Sequence, residues 1–385
     1  MIQGIFDFYF SAIPTFLFYG FDLALMYAPF WLPVFVGFIA WDLWLHYIRA
    51  RYILKEKTIL LEIKIPKEMN KSPLAMELAL IGFHQTSGES TWFDKYWEGK
   101  IRAWFSLEIA SFGGQINFFV LTRKSLRELI EAHLYGQFPG IEIHEADDYT
   151  KGVHFTVGKN SGWGVDFKLT GPDPLPIKTY VDYGLLEDPK EEFKVDPMTS
   201  LLEYFGSIGP NEKLWVQILI QAHASSPSKV GYKHPGNIFA TNYSWKKEGE
   251  ELIKEIMESA KGDGDKPSRF LTTSEQDRIK AIDRSLSKPA FDCGMRAMYI
   301  AEPKDKFRGA NIVGILGMFK QFGSNNFNGF SGTGGLLDFD FPWQDYKQVR
   351  QNAIRHHILD AYKRRSKFHQ PHKPKPFILN VEELA

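Results

Sequence analysis

Glycine-rich and histidine-rich stretches are the first candidates for chemistry in this chain. The run SGTGG at 331–335 could cradle a phosphate with backbone N–H groups. It lacks the Lys-Ser/Thr ending of a P-loop and no helix follows it at once, so a flexible loop is the better interpretation. The histidines that could bind a metal are His356, His357, His369 and His372. Their spacing matches no zinc pattern and cations surround them, which favours polar histidines on a basic helix and linker.

Acidic residues and the single cysteine are the next candidates. Glu98, Asp147 and Asp148 could act as paired carboxylates in acid–base catalysis, but no second group is placed to tune them. Trp97-Glu98 is instead predicted to dock a loop onto the sheet, with the carboxylate holding a backbone N–H or Arg102. Cys293 stands alone, which excludes an internal disulfide and is typical of a small buried hydrophobe. We therefore predict no catalytic residue, no cofactor and no metal site.

A basic segment near the C-terminus is the one surface feature that indicates a partner. Cations separated by aromatic side chains can hold a nucleic-acid backbone, anionic lipid headgroups or an acidic protein, and charge alone does not choose among them. A solvated basic helix is the plain alternative. The chain has a formal charge of zero, and three acids but no Lys or Arg precede Arg49, so the part from Arg49 onward carries +3, which is too weak to indicate nucleic acid by itself. The predicted contact residues are Lys347, Arg350, Arg355, Lys363, Arg364, Arg365 and Lys367.

An apolar stretch near the N-terminus predicts where this basic segment operates. Residues 23–41 contain no charged side chain, and about 20 apolar residues in a helix cross a bilayer. We predict a transmembrane helix over 23–48 within a membrane anchor over 1–57. The anchor residues are Trp31, Trp41, Trp44, Arg49 and Arg51. The alternative is a buried helix of a soluble domain, which Pro29 and Pro33 slightly favour.

Charge asymmetry predicts the orientation of this anchor. No Lys or Arg precedes Arg49, so the positive-inside rule places the C-terminal part in the cytoplasm of a single-pass inner-membrane protein. Residues 1–22 are apolar but interrupted by Asp7 and Pro14. They are predicted to form an interfacial helix, with a re-entrant piece as the alternative.

Strand and helix patterns after residue 57 predict an α+β fold. The order in 58–150 is β-α-β-β-α-β, which is the order of a ferredoxin-like module. Residues 151–345 repeat this order, with a helical insertion over 224–293 in place of the hairpin turn. Pro73 and Pro197 open corresponding helices, each after a capping residue. We therefore predict two tandem ferredoxin-like modules, over 58–150 and 151–345, followed by a basic helix and a last strand over 346–385.

Five stretches of the chain carry a resemblance to a known family. They are ILLEIKIPKE with SPLAME (59–77), KYWEGKIRAWFSLEIASFGGQINFFV (95–120), EAHLYGQFPGIEIHEADDYT (131–150), DPMTSLLE (196–203) and ILNVEELA (378–385). In these residues the chain resembles a family of uncharacterised bacterial membrane-anchored proteins associated with type IV secretion and conjugation loci. The resemblance covers most of the chain after residue 58 and assigns no catalytic residue. It implies that family members continue beyond the EELA motif, so we expect the chain to be incomplete at Ala385.

Two functions follow from these patterns. The first is a non-enzymatic membrane-anchored scaffold or adaptor of a type IV secretion or conjugation apparatus, which docks an ATPase and can form a homo-oligomer. The second is a membrane-tethered nucleic-acid-binding module that uses the basic segment. The sequence leaves both open, together with the identity of the partner.

Overall fold

The structure is a computed structural model that describes residues 22–23, 25–66, 71–89, 91–156, 158–185, 196–223, 245–261, 269–333, 341 and 343–385. Nearly all of the predicted interfacial helix over 1–22 lies outside the described residues. So do residues 224–244 and 262–268 of the predicted insertion, and the side chain of Lys347.

The described residues form an α+β structure with one N-terminal apolar helix. Its elements are α1 (Ala28–Lys55), β1 (Thr58–Lys64), α2 (Pro73–Ile81), α3 (Trp92–Tyr96), β2 (Trp104–Phe112), β3 (Gln115–Arg123), α4 (Arg127–Gln137), β4 (Glu142–Ala146), β5 (Ser161–Leu169), α5 (Pro197–Gly206), β6 (Glu212–Ala222), α6 (Trp245–Lys261), α7 (Thr273–Ser287), β7 (Ala290–Ala301), α8 (Ala310–Met318), β8 (Phe330–Gly332), α9 (Val349–Lys363), β9 (Phe377–Asn380) and α10 (Val381–Leu384).

The chain divides into two compact units. The anchor unit contains Met1–Lys55 and Thr91–Ile101, and the sheet unit contains Glu56–Ser90 and Arg102–Ala385. All nine strands belong to the sheet unit. The predicted first module includes Thr91–Ile101, whereas in the structure this segment groups with α1.

One nine-stranded antiparallel sheet runs through the sheet unit. Its order is β4-β1-β3-β2-β6-β7-β5-β8, and β9 pairs with the first residues of β7. The strands of 58–150 form one half and those of 151–345 the other. They join where β2 pairs with β6, from Trp104↔Gln221 to Phe112↔Lys213. The two predicted modules therefore share a single sheet.

Alternation along the strands gives the sheet two different faces. One face is apolar and packs against α2, α4, α5 and α8 in a core that includes Phe105, Phe205 and Ile130. The other face carries polar side chains in one transverse row, because the register aligns Glu108↔Gln217, Gln217↔Arg296 and Arg296↔Asp166. α9 packs over this polar face at β5, where Ile358 lies close above Gly164.

Local chemistry accounts for the helix starts that the sequence predicts. Ser72 Oγ accepts from the Leu74 amide and Asp196 Oδ1 from the Met198 amide, each directly before a proline. Both predicted caps are confirmed. The closing segment differs, because Asn380 caps the short helix α10 and so ends the predicted last strand.

Candidate functional site

The polar row of the sheet is a buried network of hydrogen bonds. Gln217 Nε2 donates to Glu108 Oε1 at 2.9 Å, and Ser106 Oγ donates to the same oxygen at 2.5 Å. Arg296 Nε donates to Asp166 Oδ1 at 3.0 Å. Buried polar groups need hydrogen-bond partners in place of water. The segment that covers this row supplies the partners that the strands themselves do not. That segment is the C-terminal part of α9 and the residues after it.

Arg365 is the central residue of the segment that covers the polar row. Its Nε and Nη2 donate to the two oxygens of Glu108 at 3.0 and 3.2 Å, and Nη2 also donates to Asp148 Oδ1 at 3.0 Å. Only 2% of Arg365 is exposed. Burial opposes the charges of the pair, but the hydrogen bond from Arg365 still holds the pKa of Asp148 below its ordinary value. One guanidinium thus balances two carboxylates inside the protein.

Two tyrosines, the half-buried Tyr149 and the fully buried Tyr362, extend the network around Glu108. Tyr149 donates to Glu108 Oε2 at 2.7 Å, and its hydroxyl lies 2.9 Å from that of Tyr362. Burial, with the negative charge of Glu108 close by, raises the pKa of both phenols well above the ordinary value. Both groups therefore stay protonated, and their role here is to satisfy the carboxylate.

Lys367 is the second buried cation of the segment that covers the polar row. Its stem packs on the backbone of Gly294, where a Cβ atom would lie 2.5 Å from Lys367 Cδ. Burial lowers the pKa of Lys367 to about 8, and the charge of Arg296 adds to this effect while Asp166 opposes it. Arg296 Nη2 also donates to the Ser366 carbonyl at 3.1 Å, which fixes the chain between the two cations.

These contacts correct the predicted anionic-partner surface. Arg365 and Lys367 lie in the interior, because the basic segment covers the polar face of the sheet. Arg364 pairs with Asp360 at 2.8 Å on the exposed side of α9. The rest are distributed as follows: Arg350 is exposed, Arg355 and Lys363 are half-buried, and the side chain of Lys347 lies outside the described residues. Contact between the exposed cations and an anionic partner stays a prediction.

A sequence signal for this burial exists in the strands. Glu108, Gln217 and Arg296 each lie between apolar residues of a strand, and charged residues are rarely buried unless paired. Glu108 thus indicates that a cation from elsewhere in the chain is buried beside it. The sequence does not show which cation this is.

The histidines of this region occupy structural positions. His372 Nε2 lies 2.8 Å from Asp360 Oδ2, and its ring packs on His357 with centroids 4.3 Å apart. His369 packs on Trp104, and burial lowers its pKa to about 4. Within the described ranges, no group of three or more His, Cys, Asp or Glu could hold a metal ion.

The apolar face of the sheet encloses a cavity of about 400 Å³. Its lining is mostly aliphatic and aromatic and comes from both halves of the sheet, including Leu107, Ile218, Met295 and Phe319. At its border the Glu383 carboxylate accepts from the Ile177 and Asn380 amides at 2.9 and 2.8 Å. The cavity can accommodate apolar atoms. The Glu383 carboxylate at its border already accepts hydrogen bonds from two backbone amides.

The anchor unit holds the second group of predicted residues. α1 is 28 residues long, and its most apolar 18-residue window has a mean hydropathy of 1.5 with none of the window buried. The helix is long and apolar enough to span a membrane. It runs from residue 28 to residue 55, beyond the predicted end at 48, and contains Trp31, Trp41, Trp44, Arg49 and Arg51.

Thr91–Ile101 packs along the end of this helix. Trp44 Nε1 donates to the Tyr96 carbonyl at 3.0 Å, and its ring lies 5.6 Å from that of Trp97. Glu98 pairs with Lys100 at 2.6 Å. The prediction that Trp97-Glu98 docks a loop onto the sheet, with Glu98 holding a backbone N–H or Arg102, is corrected, because Trp97 packs on Trp44 and Glu98 pairs with Lys100. The segment contains no strand pattern and its aromatics find aromatic partners on α1.

Gly99 makes this packing possible, and Gly99→Ala is expected to loosen it. Gly99 has φ +67°, and a Cβ atom there would lie 2.6 Å from the Ile48 carbonyl carbon. We expect tryptic cleavage after Lys95 and Lys100 to rise about tenfold, which corresponds to a local loss of about 1.4 kcal/mol. Gly184→Ala is the matched control, because Gly184 has φ +68° and nothing lies within 4 Å of its Cβ position. Equal cleavage of the two variants would show that the segment does not depend on this contact.

Comparison of the chain with protein-family models gave no match, and comparison with curated proteins gave none either.

Proposed function

We propose that this chain is a non-enzymatic membrane-anchored scaffold or adaptor, with α1 as a single-pass anchor in the inner membrane and the sheet unit in the cytoplasm. The observation that carries the proposal is the exposure of α1. A helix this apolar in a soluble domain would be buried, whereas no residue of the apolar window of α1 is buried. The first Lys or Arg of the chain is Arg49, at the end of the apolar run, which supports the cytoplasmic side for the sheet unit.

We further propose that the sheet unit consists of two ferredoxin-like modules joined edge to edge. The strand orders β4-β1-β3-β2 and β8-β5-β7-β6 support this, because each half has the same order counted from its own first strand. α6 and α7 occupy the position between β6 and β7 where the first half has a tight turn. Such a duplication gives a broad, rigid body suited to holding partners.

A stripe on α2 is the proposed docking surface for a protein partner. Leu74, Leu78 and Ile81 follow i, i+4, i+7 spacing, and between 42% and 45% of each side chain is exposed. Apolar residues at this spacing form one face of a helix and suit an apolar groove or helix of a partner. Through the family resemblance, we propose that the partner is an ATPase of a type IV secretion or conjugation apparatus.

Photo-crosslinking in intact membranes tests this function. A photo-reactive residue at Leu78 is expected to capture an ATPase, while the same residue at Val313, an exposed apolar position on α8, is expected not to. Leu78→Glu should abolish assembly with the captured protein. Capture of the chain by itself would mean a homo-oligomer and would remove the support for an adaptor. Equal capture from Leu78 and Val313 would refute the α2 surface.

The nucleic-acid alternative has less support than the scaffold. Two of its contact residues, Arg365 and Lys367, are buried in the sheet unit. Arg364 has Asp360 as a partner, so its charge is partly neutralised. The proposal therefore rests on the anchor and on α2, and the two buried cations of the basic segment, Arg365 and Lys367, are assigned to folding.

A further inference from the structure

We infer that Thr91–Ile101 is a second membrane contact, which lies in the lipid headgroup layer beside α1 and inserts Trp92, Phe93 and Trp97 among the lipids. This inference rests on the proposed membrane anchor. It adds a lipid-binding element from a part of the chain that follows β1 and α2, far from the spanning helix in sequence.

Exposure of large aromatic side chains is the first observation. Of Trp92, Phe93 and Trp97, 63%, 51% and 54% respectively are exposed, within a segment of eleven residues between 91 and 101. Side chains of this size grouped on a surface mark a contact with a partner or a membrane. The segment is also held in shape, because Thr91 and Asp94 form a reciprocal capping box at the start of α3.

The position of the segment along α1 identifies the partner as a membrane. Tyr96 packs on Trp41 with centroids 5.7 Å apart, and Gly99 approaches the backbone of Ile48. Trp41 ends the uncharged run of α1. The distance from Trp41 to Ile48 along a helix is about 10 Å at 1.5 Å per residue. The headgroup layer on each side of a bilayer is about 5–8 Å thick, so a spanning α1 places Tyr96 at this depth.

The chemistry of the side chains suits the same layer. Trp and Tyr favour the membrane interface because an apolar ring and a polar N–H or O–H can each reach their preferred surroundings. The charged residues of the segment are Asp94, Lys95, Glu98 and Lys100, and their formal charges cancel. The contact is therefore aromatic rather than electrostatic, and we expect it with zwitterionic lipid alone and at high salt.

Depth-dependent fluorescence quenching tests the inference on the full chain in phosphatidylcholine nanodiscs. Three matched variants, Phe35→Cys, Phe93→Cys and Phe270→Cys, are each labelled with one environment-sensitive fluorophore. The three phenylalanines are all exposed, so each label is accommodated at the surface of the fold. Cys293 is fully buried and burial raises its pKa, so it stays unlabelled in the parent protein.

Nitroxide lipids then report where each label lies. We expect deep nitroxides to quench the label at residue 35, shallow nitroxides to quench the label at residue 93, and neither to quench the label at residue 270. Quenching at residue 93 no stronger than at residue 270, with residue 35 quenched, overturns the inference and leaves the anchor in place. Loss of quenching at residue 35 overturns the proposed anchor, and the inference with it. Protection of residue 93 from both quenchers after a protein partner is added would assign the surface to that protein instead.

Discussion

Arg365→Ala is expected to destabilise the sheet unit by about 3–5 kcal/mol, since it removes one partner of a buried charge network. Glu108, which is 2% exposed, would then remain inside the protein without a cation, and the half-buried Asp148 would lose the same partner. Urea unfolding of the full chain in detergent, followed by circular dichroism, measures the loss. Few single substitutions in the chain have a larger expected effect, because one guanidinium serves two carboxylates.

Arg364→Ala is the matched control for this prediction. Arg364 is the preceding residue and pairs with Asp360, but more than half of its side chain is exposed. Exposed pairs contribute about 0–1 kcal/mol, so this variant should unfold almost like the parent. A similar loss in both variants would refute the assignment of Arg365 to the interior. The comparison also separates folding from binding, because Arg364→Glu, unlike a substitution of Arg365, can test nucleic-acid affinity in a folded protein.

The pH dependence of the Arg365 effect follows from Asp148. Its pKa is lower in the folded protein than in the unfolded chain, so its contribution to stability is fully present above the ordinary carboxyl pKa. The contribution is lost as pH falls through the lowered folded pKa. The difference between the parent and Arg365→Ala should therefore be constant near neutral pH and shrink in acid.

Local features of this chain can be predicted from sequence because neighbouring residues create them. The caps Ser72 and Asp196 act on amides two residues away. The apolar run of α1 is equally local. The strands and helices of 58–150 are predicted in their observed order for the same reason, whereas the short strand β8 lies in a Gly/Asn-rich stretch that predicts a loop.

The joint between the halves depends on residues far apart. β2 and β6 are mostly buried on both faces, and strands of this kind are unsuited to a sheet edge, where backbone groups stay unpaired. The burial-prone sequence of each strand, taken alone, predicts a central position in a sheet. The sequence does not show that the two strands pair with each other.

The same limit explains the errors at the site. Arg365 lies 257 residues from Glu108 and 217 from Asp148. When its acidic partners are distant in the sequence, a cation-rich segment is predicted to lie on the surface. The prediction for Trp97 fails for a similar reason, because its partner Trp44 belongs to α1 and not to the module around it. Both errors arise from long-range partners rather than from misread local structure.

Lys367→Met is expected to stabilise the sheet unit by about 1–3 kcal/mol at pH 7, which is opposite in sign to the Arg365 variant. Lys367 is 2% exposed, and burial lowers its pKa to about 8 from 10.5. A pKa lowered by one corresponds to about 1.4 kcal/mol of unfavourable burial of the charge. Methionine keeps a flexible stem over Gly294 and removes the ammonium group, so the cost disappears while the packing remains.

The gain should depend on pH with a defined sign. A lysine whose pKa is lowered by folding destabilises the protein in full below its folded pKa, and this cost vanishes as pH rises above its unfolded pKa. The advantage of Lys367→Met is therefore largest below pH 8 and fades as pH rises towards 10.5, which thermal unfolding at pH 7 and at about pH 9.5 measures. Lys168→Met, at an exposed position on β5, should change stability little at either pH. A loss of stability in Lys367→Met at pH 7 would mean that the ammonium has a favourable role, in which Asp166 outweighs burial.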